Sequence, residues 1–231
     1  MNSIESAIVK LDEKLRGVPF DFAFLGGSVL SLLVTDPIVD AIRVTKDVDV
    51  IVDVKSRQEF HRAERVLEKL GFRHDTREGA PICRWTCDEV TVDVLPIREE
   101  VLGWKSKWFG EALGAAKVVS VGSHEIKIIS APYFVALKLE AFEERGKGDF
   151  LTSTDFEDVI CLFNGRASVA DEILADDELC DVLARKFQRY LMSPEMEDAI
   201  DGFVQTESEP EKRKTAIVSR FRKVAGIAIT D

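Results

Sequence analysis

Apolar residues recur along this chain with two different spacings, and the spacing changes near the middle of the sequence. In the first half, short segments that are apolar throughout, or alternate apolar with polar residues, predict β-strands between stretches of helical spacing. From residue 131 onward only the helical spacing remains, with apolar residues three or four positions apart. The pattern predicts an α+β fold in which a sheet-containing domain, residues 1–130, precedes a helical domain, residues 131–231.

Individual elements have local signals of their own. Ser56 and Glu59 form a capping-box pattern ahead of an apolar stripe that Gly71 ends, which predicts a helix over 56–70. A Gly-Ser pair at 122–123 separates two short apolar runs and predicts a hairpin turn. The other predicted elements are a helix at 4–16, strands at 72–75, 81–86, 117–121 and 124–129, and helices at 131–145, 154–163, 168–175, 178–191, 194–205 and 210–224.

A glycine pair follows the first predicted strand. Phe22–Leu25 is apolar, the chain continues with Gly26, Gly27 and Ser28, and Val29–Val34 is again apolar. Glycines at a strand-to-helix turn let the backbone approach a ligand closely, and the first N–H groups of a helix favour an anion. The Ser28 hydroxyl can cap the helix or donate to a phosphate. The turn is therefore a candidate phosphate site.

Acidic and apolar residues largely alternate in the next strand. On a strand, Asp47 and Asp49 point to one face, and Val48 and Val50 point to the other, into the core. Two carboxylates this close repel each other unless one is protonated or a cation lies between them. Such oxygen ligands suit Mg²⁺ or Mn²⁺. The alternative is a half-buried edge strand with a solvated acidic face.

A third acid, Asp93, lies in the otherwise apolar run Val90–Pro96. It is either a surface position on an edge strand, or a metal ligand or the group that accepts the proton of a nucleophile. Placed beside Asp47 and Asp49, it would complete a cluster of three carboxylates. The glycine turn upstream favours the catalytic interpretation.

Charge and composition narrow the function classes. The 231 residues carry a formal net charge of −11 at pH 7, which argues against broad binding to duplex nucleic acid. No apolar run approaches membrane-spanning length, the acidic N-terminus does not suggest a signal peptide, and the four cysteines lack zinc-site spacing. We therefore expect a soluble cytoplasmic protein with reduced thiols. A basic patch lies on the last predicted helix, where a solvated face is the simpler interpretation: Lys212, Arg213, Lys214, Arg220, Arg222 and Lys223.

One lysine of the helical domain lies on an apolar helix face. Lys138 is surrounded in the helical pattern by apolar residues, and a buried lysine needs a partner. A nucleoside triphosphate would serve, and so would Asp158, in which case the pair only ties two helices together. Asp155 and Asp158 are three residues apart and face the same way on their helix.

These motifs carry a resemblance. GGS, then TKDVDV, then VTVDVLP resembles the signature of the DNA polymerase β-type nucleotidyltransferase superfamily. The stretch APYFVALKLEAFEERGKGDFLTSTDFEDVICLF is similar to the lysine helix and acidic helix of AbiEii-like nucleotidyltransferases, toxins of some bacterial toxin–antitoxin and phage-defence systems. The resemblance covers about residues 22–165. It implies a nucleotidyltransferase domain with a mixed β-sheet flanked by helices, followed by a helical bundle.

The resemblance also implies roles for individual residues. Asp47, Asp49 and Asp93 would be the catalytic and metal-binding acids. Arg145 and Asp155 match the arginine and first acid of the family pattern. The residues expected to bind the nucleotide are Gly26, Gly27, Ser28, Arg43, Thr45, Lys138 and Asp158.

The predicted activity is metal-dependent transfer of a nucleoside monophosphate from an NTP to an acceptor hydroxyl, with release of pyrophosphate. Mg²⁺ or Mn²⁺ is the expected cofactor. The acceptor implied by the resemblance is RNA, such as a tRNA 3′ end, or a protein side chain, and a cognate antitoxin is an expected partner. One alternative is a nucleotidyltransferase acting on small molecules such as aminoglycosides or lincosamides, which the acidic charge favours. The other is a catalytically silent nucleotide-binding or antitoxin module.

Overall fold

The computed structural model describes residues 3–36, 45, 47–103 and 106–228. The chain forms two compact units, each of which is discontinuous in sequence. The sheet unit comprises Met1–Val29 and Val44–Ser130, and the helical unit comprises Leu30–Arg43 and Ala131–Asp231. The α+β class predicted from the sequence is confirmed.

The strands of the sheet unit form one mixed sheet. Within the described residues its strands are β1 (Phe22–Leu25), β2 (Asp47–Val52), β3 (Arg73–His74), β4 (Arg84–Cys87), β5 (Val90–Pro96), β6 (Lys117–Val121) and β7 (His124–Ile128). Their order is β3-β4-β5-β2-β1-β7-β6. The β2–β5 and β1–β7 pairs are parallel, and the other neighbours are antiparallel. The sheet is therefore mixed, and its central strands β1 and β2 carry the motifs singled out in the sequence.

The helices of the sheet unit, among the described residues, are α1 (Ser3–Leu15), α3 (Arg57–Lys69), α4 (Glu99–Leu102) and α5 (Phe109–Gly114). The first two match the predicted helices to within one residue at each end, whereas no helix was predicted at α4 or α5. Ser56 caps α3, and its hydroxyl accepts a hydrogen bond from the Glu59 N–H at 3.2 Å. The predicted capping box is wrong in one detail, because the Glu59 carboxylate accepts from the Lys55 N–H, one residue before the cap, at 2.8 Å.

The helical unit is held together by a buried aromatic core. Its helices among the described residues are α2 (Leu30–Leu33), α6 (Ala131–Glu144), α7 (Thr154–Gly165), α8 (Val169–Leu174), α9 (Asp177–Tyr190), α10 (Pro194–Val204) and α11 (Pro210–Val224). Those from α6 onward confirm the predicted helices to within two residues. Phe163, Phe187 and Phe221 are fully buried, and the ring of Phe221 lies 4.7 Å from each of the other two. Within the parts of the chain described above, no helix combines the length and the apolar character needed to cross a lipid bilayer.

Candidate active site

Three acids of the sheet unit share one face of neighbouring strands. Asp49 on β2 is paired in register with Asp93 on the parallel strand β5, and Asp93 is paired with Arg84 on β4. Side chains of residues paired across strands lie on the same face of a sheet. Asp47 lies two residues before Asp49 and therefore faces the same way. The structure thus brings Asp47, Asp49 and Asp93 together, with an arginine added to the row.

Arg84 forms a paired hydrogen bond with Asp93 and reaches Asp47 as well. Its Nε donates to Asp93 Oδ1 at 2.8 Å, and its Nη2 donates to Asp93 Oδ2 at 2.7 Å. The same Nη2 lies 3.3 Å from Asp47 Oδ2. The hydrogen bond to Asp93 is the main reason that the pKa of Arg84 is raised. A planar guanidinium matches a carboxylate in this forked geometry, which a lysine cannot reproduce.

The acids differ in exposure. The Asp47 side chain is 41% exposed, whereas that of Asp93 is 13% exposed. Asp93 is therefore the more enclosed of the two acids that Arg84 joins.

Two further residues were predicted to bind the nucleotide near these acids. Thr45 donates its hydroxyl to Asp47 Oδ1 at 2.8 Å. Arg43 lies outside the described residues.

The donor atoms suit a divalent cation, but the side chains are arranged around a cation of the protein itself. Carboxylate oxygens are the ligands that Mg²⁺ and Mn²⁺ prefer. Nevertheless, among the residues that the structure describes, no three His, Cys, Asp or Glu side chains converge as they would around a metal ion. The Arg84 guanidinium lies between Asp47 and Asp93 instead. The carboxylates fit a metal by their chemistry, and in this structure the Arg84 guanidinium joins two of the three acids.

The glycine turn is adjacent to the acids. Gly26 follows Leu25, which is paired with Asp49, and has a φ of +72°, a conformation that favours glycine. A Cβ at this position would lie 2.8 Å from Asp49 Cγ and still closer to Oδ2. Any other residue here would require the Asp49 carboxylate to move.

The chain after the turn is less helical than predicted. Gly27–Val29 forms a 3₁₀ turn and α2 has only four residues, Leu30–Leu33, where the apolar run Val29–Val34 predicted a helix. Such a short helix does not build up a macrodipole for an anion. Ser28 is buried, and its hydroxyl donates to the Leu25 carbonyl at 2.8 Å. A ligand at this turn would therefore gain little from a helix dipole, and the Ser28 hydroxyl already has a partner.

In the helical unit, the predicted lysine and acids form a buried ion cluster. Lys138 Nζ lies 3.0 Å from Asp155 Oδ1 and 2.6 Å from Asp158 Oδ2, and Arg145 Nε lies 2.8 Å from Asp155 Oδ2. Lys138, Asp155 and Asp158 are buried. Burial would lower the pKa of Lys138, but the charges of Asp158 and Asp155 raise it overall. The cluster ties α6 to α7.

Arg84 was not predicted from the sequence. Its signal lies in the β4–β5 hairpin, where Asp88 and Glu89 both have positive φ and Cys87 is paired with Val90. Such a two-residue turn sets the register of the whole hairpin. With the turn located, residue 84 is necessarily opposite Asp93.

No family model matches the chain, and no curated protein matches it. Solved structures similar to it include an antigenic nucleotidyltransferase-like protein from Paracoccidioides brasiliensis, at 19% identity and a TM-score of 0.49, with 92% of each chain covered. Another is the antibiotic-resistance factor ANT(2'')-Ia, at 13% identity and a TM-score of 0.46, covering 70% of this chain and 84% of that one. Neither similarity assigns a role to a residue of this chain.

Proposed function

We propose that the protein is a nucleotidyltransferase that moves a nucleoside monophosphate from an NTP to an acceptor hydroxyl and releases pyrophosphate. The observation that carries the proposal is the placement of Asp49 between Asp93 on β5 and the turn at Gly26, which follows β1. Carboxylates next to a glycine turn provide the two parts that phosphoryl transfer needs, namely a cation site and a backbone that can approach the phosphates closely.

In this proposal the acids position and deprotonate the acceptor. Asp47, Asp49 and Asp93 would hold Mg²⁺ or Mn²⁺, which when bound supplies Lewis-acid stabilisation of charge on the phosphates. Asp93 would also accept the proton of the attacking hydroxyl. The acceptor oxygen bonds to the α-phosphorus, and the bond from that phosphorus to the pyrophosphate oxygen breaks.

The N–H groups of Gly26 and Gly27 would contact the triphosphate. Thr45 acts on Asp47, because its hydroxyl hydrogen-bonds to that carboxylate and limits its rotation. Lys138 and Asp158, which the resemblance assigns to the nucleotide, already satisfy each other within the helical unit, so the proposal does not require them.

RNA is the acceptor that the sequence resemblance implies. A small cationic molecule is the second candidate, and the net charge of −11 favours it over RNA. The basic residues of α11 are largely engaged within their own unit: Lys214 pairs with Asp201, Lys223 pairs with Asp171, and Arg213 donates to Asn164 Oδ1 at 2.9 Å. Side chains held in this way offer little free positive charge to a polyanion.

A transfer assay tests the function and identifies the acceptor. Each of the four NTPs, labelled at the α-phosphate, is incubated with the protein and Mg²⁺, together with total RNA or with a set of aminoglycosides and lincosamides. Asp47→Asn is the inactive variant. Asp21→Asn is the matched control, because Asp21 lies in the same unit, pairs with Lys127 and is outside the acid cluster.

Label in RNA or in a small molecule, lost in Asp47→Asn and kept in Asp21→Asn, supports the proposal and names the acceptor class. Label in neither, with NTP binding retained, supports the catalytically silent module and contradicts the proposal.

A further inference from the structure

The nitrogen atom Nη2 of Arg84 lies between two acids that a cation would need. It donates to Asp93 Oδ2 at 2.7 Å and lies 3.3 Å from Asp47 Oδ2, while Nε of the same guanidinium holds Asp93 Oδ1. Both oxygens of Asp93 and one oxygen of Asp47 are thus directed at one side chain.

A divalent cation bound by both acids would use these same oxygens. Mg²⁺ requires oxygen ligands at about 2.0–2.1 Å. The guanidinium nitrogen and a cation cannot both lie between Asp47 and Asp93 at such distances. Occupation by the arginine and occupation by the metal are therefore mutually exclusive at these atoms.

We propose that Arg84 is an internal competitor for the divalent cation, a positioning residue that holds Asp47 and Asp93 closed until a cation displaces its guanidinium. The inference rests on the proposed function for the identity of the cation. It adds that the acids become available for catalysis only after the cation has displaced Arg84. The wild-type protein should bind a free cation weakly, because binding must first break the Arg84–Asp93 pair.

Displacement requires movement of the side chain alone. The backbone of Arg84 is fixed, because its N–H donates to the Pro81 carbonyl at 2.9 Å and its carbonyl accepts from the Asp75 N–H at 3.0 Å. The side chain is 25% exposed, so the guanidinium has access to solvent. A long, flexible side chain on a fixed strand is suited to such an exchange.

Binding of Mn²⁺, followed by the electron paramagnetic resonance signal of the free ion, tests this competition without using activity. The proteins are wild type, Arg84→Gln, Arg84→Lys and Arg77→Gln. Arg77 is the matched control, because it also pairs with an aspartate of the sheet unit, Asp75, and is outside the acid cluster. We expect Arg84→Gln to bind Mn²⁺ roughly tenfold to a hundredfold more tightly than wild type, the worth of one charge-assisted pair. Arg77→Gln should match wild type, and Arg84→Lys should fall between.

Equal or weaker Mn²⁺ binding by Arg84→Gln would overturn the competition while leaving the proposed function standing. Absence of Mn²⁺ binding in every protein, Arg84→Gln included, would overturn both the competition and the metal dependence of the proposed reaction.

A second measurement on the wild-type protein guards against misfolding of Arg84→Gln. The Nε–H resonance of Arg84, identified by its loss in Arg84→Lys, should shift and lose protection from solvent exchange as Mg²⁺ is added. A resonance that stays unchanged at saturating Mg²⁺ contradicts the proposal.

Discussion

Gly26 and Asp49 approach each other so closely that a side chain added at residue 26 would displace the Asp49 carboxylate. Gly26 directly follows β1 and has a φ of +72°, and a Cβ there would lie 2.8 Å from Asp49 Cγ. The glycine of the turn and the acid of the next strand are therefore one structural unit. This contact links the candidate phosphate cradle to the candidate cation site.

Gly26→Ala should displace Asp49 and reduce transfer activity by about 100-fold, since a misplacement of about 1 Å at a reacting group costs that much. Gly79→Ala is the control. Gly79 also has a positive φ, +80°, but nothing lies within 4 Å of the added Cβ. Both variants carry the same kind of backbone strain, and only Gly26→Ala has the clash. Equal loss of activity in the two would contradict a specific role for the Gly26–Asp49 contact.

Lys138→Met should destabilise the helical unit by about 3–5 kcal/mol, because Asp155 and Asp158 stay buried without the positive charge of Lys138. The melting temperature should fall by roughly 10 °C. Arg145→Met is the comparison, because Arg145 also pairs with Asp155 but its side chain is 72% exposed. Exposed pairs contribute about 1 kcal/mol or less. A Lys138→Met protein with wild-type melting temperature would show that the cluster does not hold α6 to α7.

The ion cluster also predicts a dependence on acid. Burial would raise the pKa of Asp155, but the Arg145 hydrogen bonds and the Lys138 charge lower it overall below its ordinary value of 3.8. A lowered pKa in the folded state contributes stability above pH 3.8, and this contribution is lost as the pH falls further. Asp155→Asn should be less stable than wild type at pH 7, by an amount that shrinks below pH 3.8. Urea unfolding at pH 7 and pH 3 measures this, and a difference independent of pH would contradict the assignment.

The cysteines should differ sharply in reactivity. Burial is the main cause that raises the pKa of Cys83 and of Cys161, each to about 12, whereas Cys180 is partly exposed. At pH 8 only roughly one buried thiol in ten thousand is the reactive thiolate. Iodoacetamide should label Cys180 in the folded protein and Cys83 and Cys161 only after unfolding, as followed by mass spectrometry. Rapid labelling of Cys83 in the folded protein would contradict the described packing of β4 and β5.

The sequence predicted best the elements whose signals are local. The α3 helix, its Ser56 cap and the hairpin of β6 and β7 depend on residues within a few positions of each other. The alternation of acids and valines in β2 also predicted which residues face the core, because a strand has a period of two.

The features that the sequence did not predict depend on relationships between different elements of the fold. Arg84 has no motif, and its partner Asp93 is set by the register of the β4–β5 hairpin. The turn residues Asp88 and Glu89 lack the glycine that usually marks such a turn. The helix expected after the glycine turn shortened to α2, where the chain passes from the sheet unit into the helical unit at Leu30. Helical spacing of apolar residues could not show that boundary.

The central claim is that the bond broken lies between the α- and β-phosphates of an NTP. It is tested most directly by comparing two labels in one transfer reaction, with Asp93→Asn as the inactive variant and Asp21→Asn as the control. The account predicts that label at the α-phosphate enters the acceptor and that label at the γ-phosphate leaves as pyrophosphate. Both events should be lost in Asp93→Asn and kept in Asp21→Asn. Entry of the γ-label into the acceptor would instead show transfer of the terminal phosphate and would contradict the account.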